Sequence, residues 1–279
     1  MDAKTIIVIN DNTAEAEHAA LLVLRMAQKI KASIVLANEV KVAAGNSERP
    51  QLAWKSRGIA NGEESPNGLL ERLQAHNDQD GQDQIGIGEI DISDFVVDDL
   101  SRFIIKNKIW MIVKGTHSFS DDANGLHLNI QYVLNKVMCP LLLVPAKFKI
   151  KDFEQIVYMA DLRYCRLPVV WYLAEFAKPY HANLYIDHLS AKGLPHIDEK
   201  YADNFFNAEF KNKVSYDRLF FNNIRERDIN KAVDVMINGM HIDLIAFVNH
   251  RFHFEEILGR MIPDNLPGQL TIPLMIFPY

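Results

Sequence analysis

The sequence predicts an α/β protein made of two repeated doubly wound domains, each a five-stranded, mostly parallel sheet with helices on both faces. Three observations carry this expectation. The chain repeats itself with conserved internal spacings. Within each copy, short apolar runs alternate with segments of helical period. At 279 residues, 48% apolar and 24% charged, the chain is long enough to bury two cores and lies outside disordered and fibrous compositions.

The repeat is read from four anchors in one order. Thr5-Ile6-Ile7-Val8-Ile9-Asn10-Asp11 has a counterpart in Gln155-Ile156-Val157-Tyr158-Met159-Ala160-Asp161, and both apolar runs end on an aspartate. From that aspartate to the alanine opening the next apolar run, Ala32 or Ala182, is 21 residues in each copy. Trp110-Met111-Ile112-Val113-Lys114-Gly115-Thr116-His117 pairs with Asp243-Leu244-Ile245-Ala246-Phe247-Val248-Asn249-His250. From His117 to Pro140, and from His250 to Pro273, is 23 residues. The boundaries this suggests are 1–146 and 152–279, joined by a short lysine-containing connection.

The elements follow in order. Ile6–Ile9 is a continuous apolar run, the pattern of a strand buried on both faces. Ala14–Lys31 places Ala20, Leu24 and Ala27 on one face with Val23 and Ile30 beside it, which predicts a helix. Asp91–Lys106 carries Ile92, Val96, Leu100, Phe103 and Ile104 at helical spacing, with Asp91 or Ser93 as N-cap. Ile229, Val233, Met236 and Ile237 repeat that pattern before Asn238-Gly239 stops it. Expected strands are 5–10, 33–39, 85–90, 109–114 and 141–145, then 155–160, 183–189, 213–218, 242–248 and 274–277.

The first copy is longer. Ala32 to His117 spans 85 residues against 68 from Ala182 to His250. The excess falls in a polar insertion of about 41–84, with a short helix expected around 69–74. Limited proteolysis is expected to cut within 41–68 before anywhere else. Survival of that stretch while the cores are cleaved would mean that it is packed, as a lid on the first-copy cleft.

Composition excludes several classes. A net charge of −6, with 14 basic and 19 acidic residues in 1–146 and 16 and 17 in 147–279, leaves no basic patch for nucleic acid. No run approaches a membrane span, and Ile6–Ile9 is too short for a signal-peptide core, so a cytoplasmic protein is expected. Two cysteines, Cys139 and Cys165, make neither a disulfide framework nor a zinc site. His250, His253, Glu255 and Glu256 lack a second ligand pair, and no metal is expected. Gly-x-Ser-x-Gly, P-loop and His-Glu-x-x-His motifs are absent, so no catalytic residue is assigned.

In doubly wound sheets ligands sit beyond the carboxyl ends of the strands, where Asp11, Asp161, Gly115-Thr116-His117 and Asn249-His250 fall. With Cys139-Pro140 and the closing apolar run, this order resembles the universal stress protein family in its tandem form, of the adenine-nucleotide alpha-hydrolase-like, Rossmann-like fold. The resemblance implies that Asp11 and Asp161 contact the adenine-bearing end of a nucleotide. It also implies that the His-Val pair ending the second strand is met by His188-Leu189 and replaced by Asn38-Glu39. Gly115-Thr116-His117-Ser118 stands for Gly-Thr-His-Gly.

The departures weaken that site. Family members that bind ATP cradle phosphates on glycines and a following Ser or Thr. Here Ser118 occupies the second glycine position, and His127-Leu128 stands where Gly-Ser would, with Gly125 off register. In the second copy Val248 and Arg251 replace the glycines, Arg260-Met261 replaces the last pair, and Gly259 lies one position early. Arg251 or Arg260 could hold an anion by its side chain instead. Asp11 and Asp161 fit a helix cap as well as a nucleotide contact, and Gly115 fits a simple turn.

The expected function is therefore a non-enzymatic universal stress protein, acting in the stress response as a regulatory or interaction protein with an unidentified protein partner and a largely degenerate nucleotide site. The alternative is an ATP or AMP sensor using Asp11, Gly115, His117 and Ser118, with Asp161, His250 and Arg251 as weaker second-copy equivalents. Any nucleotide is expected in the first copy. Leu141–Val144 and Leu274–Phe277 would each leave an uncharged apolar edge in an isolated domain. The family's subunits pair through this last strand, so the two runs are expected to pair internally, making a pseudo-dimer. The chain would then be a monomer, or a homodimer formed elsewhere.

Overall fold

A computed structural model describes residues 4–39, 68–79, 84–116, 130–263 and 266–279. The first half runs β1 (Lys4–Asn10), α1 (Ala14–Ile30), β2 (Ala32–Asn38), α2 (Leu69–Gln79), β3 (Ile87–Asp91), α3 (Val97–Lys106), β4 (Met111–Thr116), α4 (Ile130–Leu134) and β5 (Leu141–Pro145). The second runs β6 (Gln155–Ala160), α5 (Leu167–Ala177), β7 (Asn183–Leu189), α6 (Glu199–Phe206), β8 (Leu219–Ile224), α7 (Ile229–Asp234), β9 (Leu244–Val248), α8 (Phe252–Leu258) and β10 (Leu274–Phe277). A 3-10 turn, Leu162–Tyr164, precedes α5, and π turns extend α6 to Lys211 and α7 to Gly239.

All ten strands form one sheet in the order β3-β2-β1-β4-β5-β10-β9-β6-β7-β8. Pairing is parallel throughout except at the centre. There β5 and β10 run antiparallel, with Leu143 opposite Leu274, Leu142 opposite Met275 and Leu141 opposite Ile276. This is the pairing expected from their uncharged edges. Every residue of both strands is buried, and at roughly 1.5–3 kcal/mol per large apolar side chain the seam is part of the core. Across the same boundary Trp110 stacks on Tyr172 at 4.7 Å between ring centroids, and the Tyr172 hydroxyl donates to the Trp110 carbonyl at 2.9 Å. Arg25 and Lys29 of α1 hold Asp152 of the connection at 2.7 and 3.2 Å.

Helix α1 begins where the sequence supplies a cap: Thr13 Oγ1 accepts from the Ala16 N–H at 3.1 Å, and Glu15 and Glu17 occupy the first turn. It ends on Lys31 in the left-handed region, φ 56°. The predicted face, Ala20, Val23, Leu24, Ala27 and Ile30, is buried, its alanines letting the helix lie close to the sheet.

Several boundaries are corrected. Helix α3 starts at Val97 rather than Asp91. Asp91 Oδ1 instead accepts from the Ser93 N–H at 2.8 Å in a turn, and Asp99 Oδ2 reaches back to the Val96 N–H at 3.2 Å. The eighth strand lies at Leu219–Ile224, not 213–218, because α6 and its π turn run on to Lys211. Gly115 and Thr116 lie inside β4 rather than after it. Within the expected insertion α2 reaches Gln79, with Leu69 and Leu73 buried and Arg72 bidentate to Glu17 at 2.8 and 3.1 Å. Residues 41–67 and 80–83 of that insertion lie outside the described residues. Among the described residues no helix is long and apolar enough to cross a membrane.

Candidate functional site

The carboxyl ends of the strands place the candidates. In the first half Asp11 follows β1 and is partly exposed. Its Oδ1 accepts from the Thr13 N–H at 3.1 Å and the Thr13 hydroxyl at 2.6 Å, which organises the turn into α1. Asn10 and Asn38 meet side by side at the ends of β1 and β2, Asn10 Nδ2 donating to Asn38 Oδ1 at 2.7 Å. Asn38 Nδ2 in turn donates to Glu89 Oε2 at 3.1 Å. His117, Ser118, Gly125 and His127 lie outside the described residues.

Gly115 has a reason that the sequence did not suggest. A Cβ built there would stand 2.3 Å from the Glu15 carbonyl oxygen and 2.9 Å from the Ala16 nitrogen. The first turn of α1 therefore rests directly on β4, and only glycine leaves room for it. Val248 holds the corresponding place in the second half. There α5 starts six residues after Asp161, behind the 3-10 turn, whereas α1 starts three residues after Asp11. The later start goes with much looser contact: α1 packs closely along β4, and α5 barely touches β9.

In the second half the side chain of Asp161 is buried and every oxygen is engaged. Oδ1 accepts from Arg163 N–H at 3.1 Å and Arg163 Nε at 2.7 Å. Oδ2 accepts from Arg163 Nη2 at 2.6 Å and the Ala191 N–H at 3.0 Å. These bonds hold its carboxyl below the ordinary range against the opposing effect of burial, which is the largest single influence. Asp161 thus spends both oxygens on its own turn and on Ala191.

His188, Ser190 and Asp161 lie close enough to suggest a nucleophile, a base and an orienting acid. Ser190 Oγ is 3.2 Å from His188 Nε2, and His188 Nδ1 is 3.9 Å from Asp161 Oδ1. The proton is on the wrong nitrogen. His188 Nδ1 accepts from the Leu162 N–H at 2.9 Å, so the neutral ring carries its hydrogen on Nε2 and donates to Ser190. Burial keeps the ring neutral. Ser190 passes its own hydrogen to the Pro195 carbonyl at 3.3 Å, and no base accepts it.

His250 is exposed, with φ 55°, and lies on the rim of the cleft lined by Asp161 and Arg251. Its Nε2 lies 3.3 Å from Asn135 Oδ1, just beyond α4 of the first half, and Asn249 Nδ2 donates to the same oxygen at 3.0 Å. His253 is buried, its Nε2 on the Leu189 carbonyl at 2.9 Å, and burial lowers its pKa to about 4. Among the described residues no three His, Cys, Asp or Glu side chains are grouped to hold a metal. Both thiols are suppressed by burial, Cys139 pushed up to about 12 and Cys165 higher still.

Arg251 was an expected anion contact, and its setting depends on residues far away in sequence. Its guanidinium lies over the Tyr164 ring at 5.3 Å and the Tyr279 ring at 4.8 Å, and its Nε is buried with no acceptor. It lines a cleft of about 170 Å3 at the ends of β6 and β9, together with Tyr158, Met159, Asp161, Val248 and Phe252.

Together these features define a tandem Rossmann-like protein whose two halves share one sheet. The chain has the fold of the universal stress proteins over its whole length. It is similar to a universal stress protein from Archaeoglobus fulgidus, at 11% identity and a TM-score of 0.55, covering 100% of this chain and 99% of that one. A putative universal stress protein from Pseudomonas aeruginosa is similar at 11% identity and a TM-score of 0.50, covering 99% and 94%. The cytoplasmic domain of a prokaryotic cation chloride cotransporter is similar at 10% identity and a TM-score of 0.50, covering 99% and 95%. No family model and no curated protein matches the sequence.

Proposed function

We propose that this chain is a non-enzymatic regulatory or interaction protein of the stress response, acting in the cytoplasm as an internal pseudo-dimer, with a nucleotide site largely lost. The saturated carboxylate of Asp161 is the observation that carries this reading: an adenine or ribose would have to displace two arginine contacts and two backbone amides. Val248 in place of a glycine, and a Ser190–His188 pair whose proton is on the wrong nitrogen, support it further.

The second reading, an ATP or AMP sensor, is favoured by one contrast. Asp11 is partly exposed, whereas Asp161 is buried and bonded on both oxygens. Calorimetry separates the two readings. No heat of binding is expected with ATP or AMP at millimolar concentration. Saturable binding that disappears in Asp11→Ala would establish the sensor in the first half.

A further inference from the structure

Once Asp161 is neutralised by Arg163, Arg251 stands in the second-half cleft with no ion-pair partner among the described residues. Of the two histidines lining the cleft, His253 has its charged form disfavoured by burial, and His250 has its Nε2 3.3 Å from Asn135 Oδ1. Among the described residues no carboxylate pairs with Arg251; its neighbours are the faces of Tyr164 and Tyr279. The two rings hold the guanidinium by cation–π contact rather than by hydrogen bonds to its edge. A buried guanidinium N–H without an acceptor is costly, and an entering anion would relieve that cost.

Tyr158, Met159, Val248 and Phe252 form the apolar part of the cleft's remaining wall, beside Asp161, His250 and His253. Its volume of about 170 Å3 equals roughly five or six waters at about 30 Å3 each. Pockets for drug-sized ligands begin at about 300 Å3. Phosphate recognition by this type of fold uses several backbone amides released by glycines, and here Val248 and Arg251 occupy those positions. A single planar fork suits a carboxylate, which it can bind through two parallel hydrogen bonds.

We propose that the second-half cleft binds a small monocarboxylate with a short apolar or aromatic body, its anionic end held by Arg251. This rests on the reading that the second half has lost its nucleotide site.

Saturation-transfer NMR on the full chain tests it with butyrate and benzoate as probes and with inorganic phosphate and AMP as contrasts. Both carboxylates should show transfer at millimolar concentration, and inorganic phosphate added as a competitor should leave that transfer unchanged. Arg251→Gln should weaken the carboxylates by about tenfold or more. Arg251→Lys, which keeps the charge but loses the planar fork, should fall between. Should Arg251→Gln fail to fold, the wild type gives a second readout: benzoate should protect Arg251 from phenylglyoxal, read by peptide mass mapping. Absent transfer from both carboxylates, binding that Arg251→Gln leaves unchanged, or unprotected Arg251 each overturns the proposal. AMP that displaces butyrate overturns it together with the nucleotide-free reading of this half. AMP that binds without displacing butyrate supports it, because the two ligands then occupy different halves.

Discussion

Gly115→Ala is expected to lower folding stability by about 3 kcal/mol or more, at the upper end of overpacking effects. The obstacle is main chain rather than a flexible side chain, since the added methyl would meet the Glu15 carbonyl at 2.3 Å and cannot be accommodated by a change of rotamer. Helix α1 must lift from β4 along a face made of close-packed alanines. Urea denaturation should show a lower midpoint with little change in slope. An unchanged midpoint would mean that α1 does not rest on β4 at this point.

Asp187→Asn should stabilise the protein, and by an amount that depends on pH. Asp187 is fully buried in β7, Oδ1 accepting from Asn222 Nδ2 at 2.8 Å and Oδ2 having no partner. Burial pushes its carboxyl up to about 7 from 3.8, with the Asn222 hydrogen bond opposing the rise. The folded state therefore holds the proton more tightly than the unfolded chain does. Its contribution to stability is fully present below pH 4 and is lost as the pH rises to 7, leaving a constant penalty above. Asparagine is neutral throughout and keeps the acceptor for Asn222. The gain should be on the order of 4 kcal/mol at pH 8 and close to zero at pH 4. Urea denaturation across this range measures it, and a gain of equal size at both pH values would rule out titration of Asp187 as the cause.

Strand positions were legible wherever the apolar run was buried on both faces, as in β1, β5, β6 and β10. They were least legible at the sheet margin. Strand β8 carries Asn222 and Asn223, residue types depleted in strands, while Val214 and Tyr216 before it are apolar because they pack a turn. The start of α3 was misplaced because Ile92, buried in a turn, mimics a helical position. The candidate site was legible in location but not in state. Arg163, two residues beyond Asp161, gives no sequence sign that it folds back on both oxygens. Tyr164 and Tyr279 converge on Arg251 only through the sheet. The packing role of Gly115 was not legible, since a contact with backbone about 100 residues earlier leaves no local pattern.

The central β5–β10 pairing has a consequence for how the two halves can differ. In a dimer of identical subunits the same gene position supplies both sides of the twofold axis, so any change at one ligand cleft is made at the other. Joining the copies in one chain removes that constraint while the antiparallel seam keeps the geometry. Each half is then free to drift by itself, as Gly115 against Val248 and a partly exposed Asp11 against a buried, saturated Asp161 illustrate. The seam is also intramolecular, so its integrity does not fall with dilution as a dimer's would. The chain can therefore keep its paired architecture at copy numbers where a two-subunit assembly would come apart.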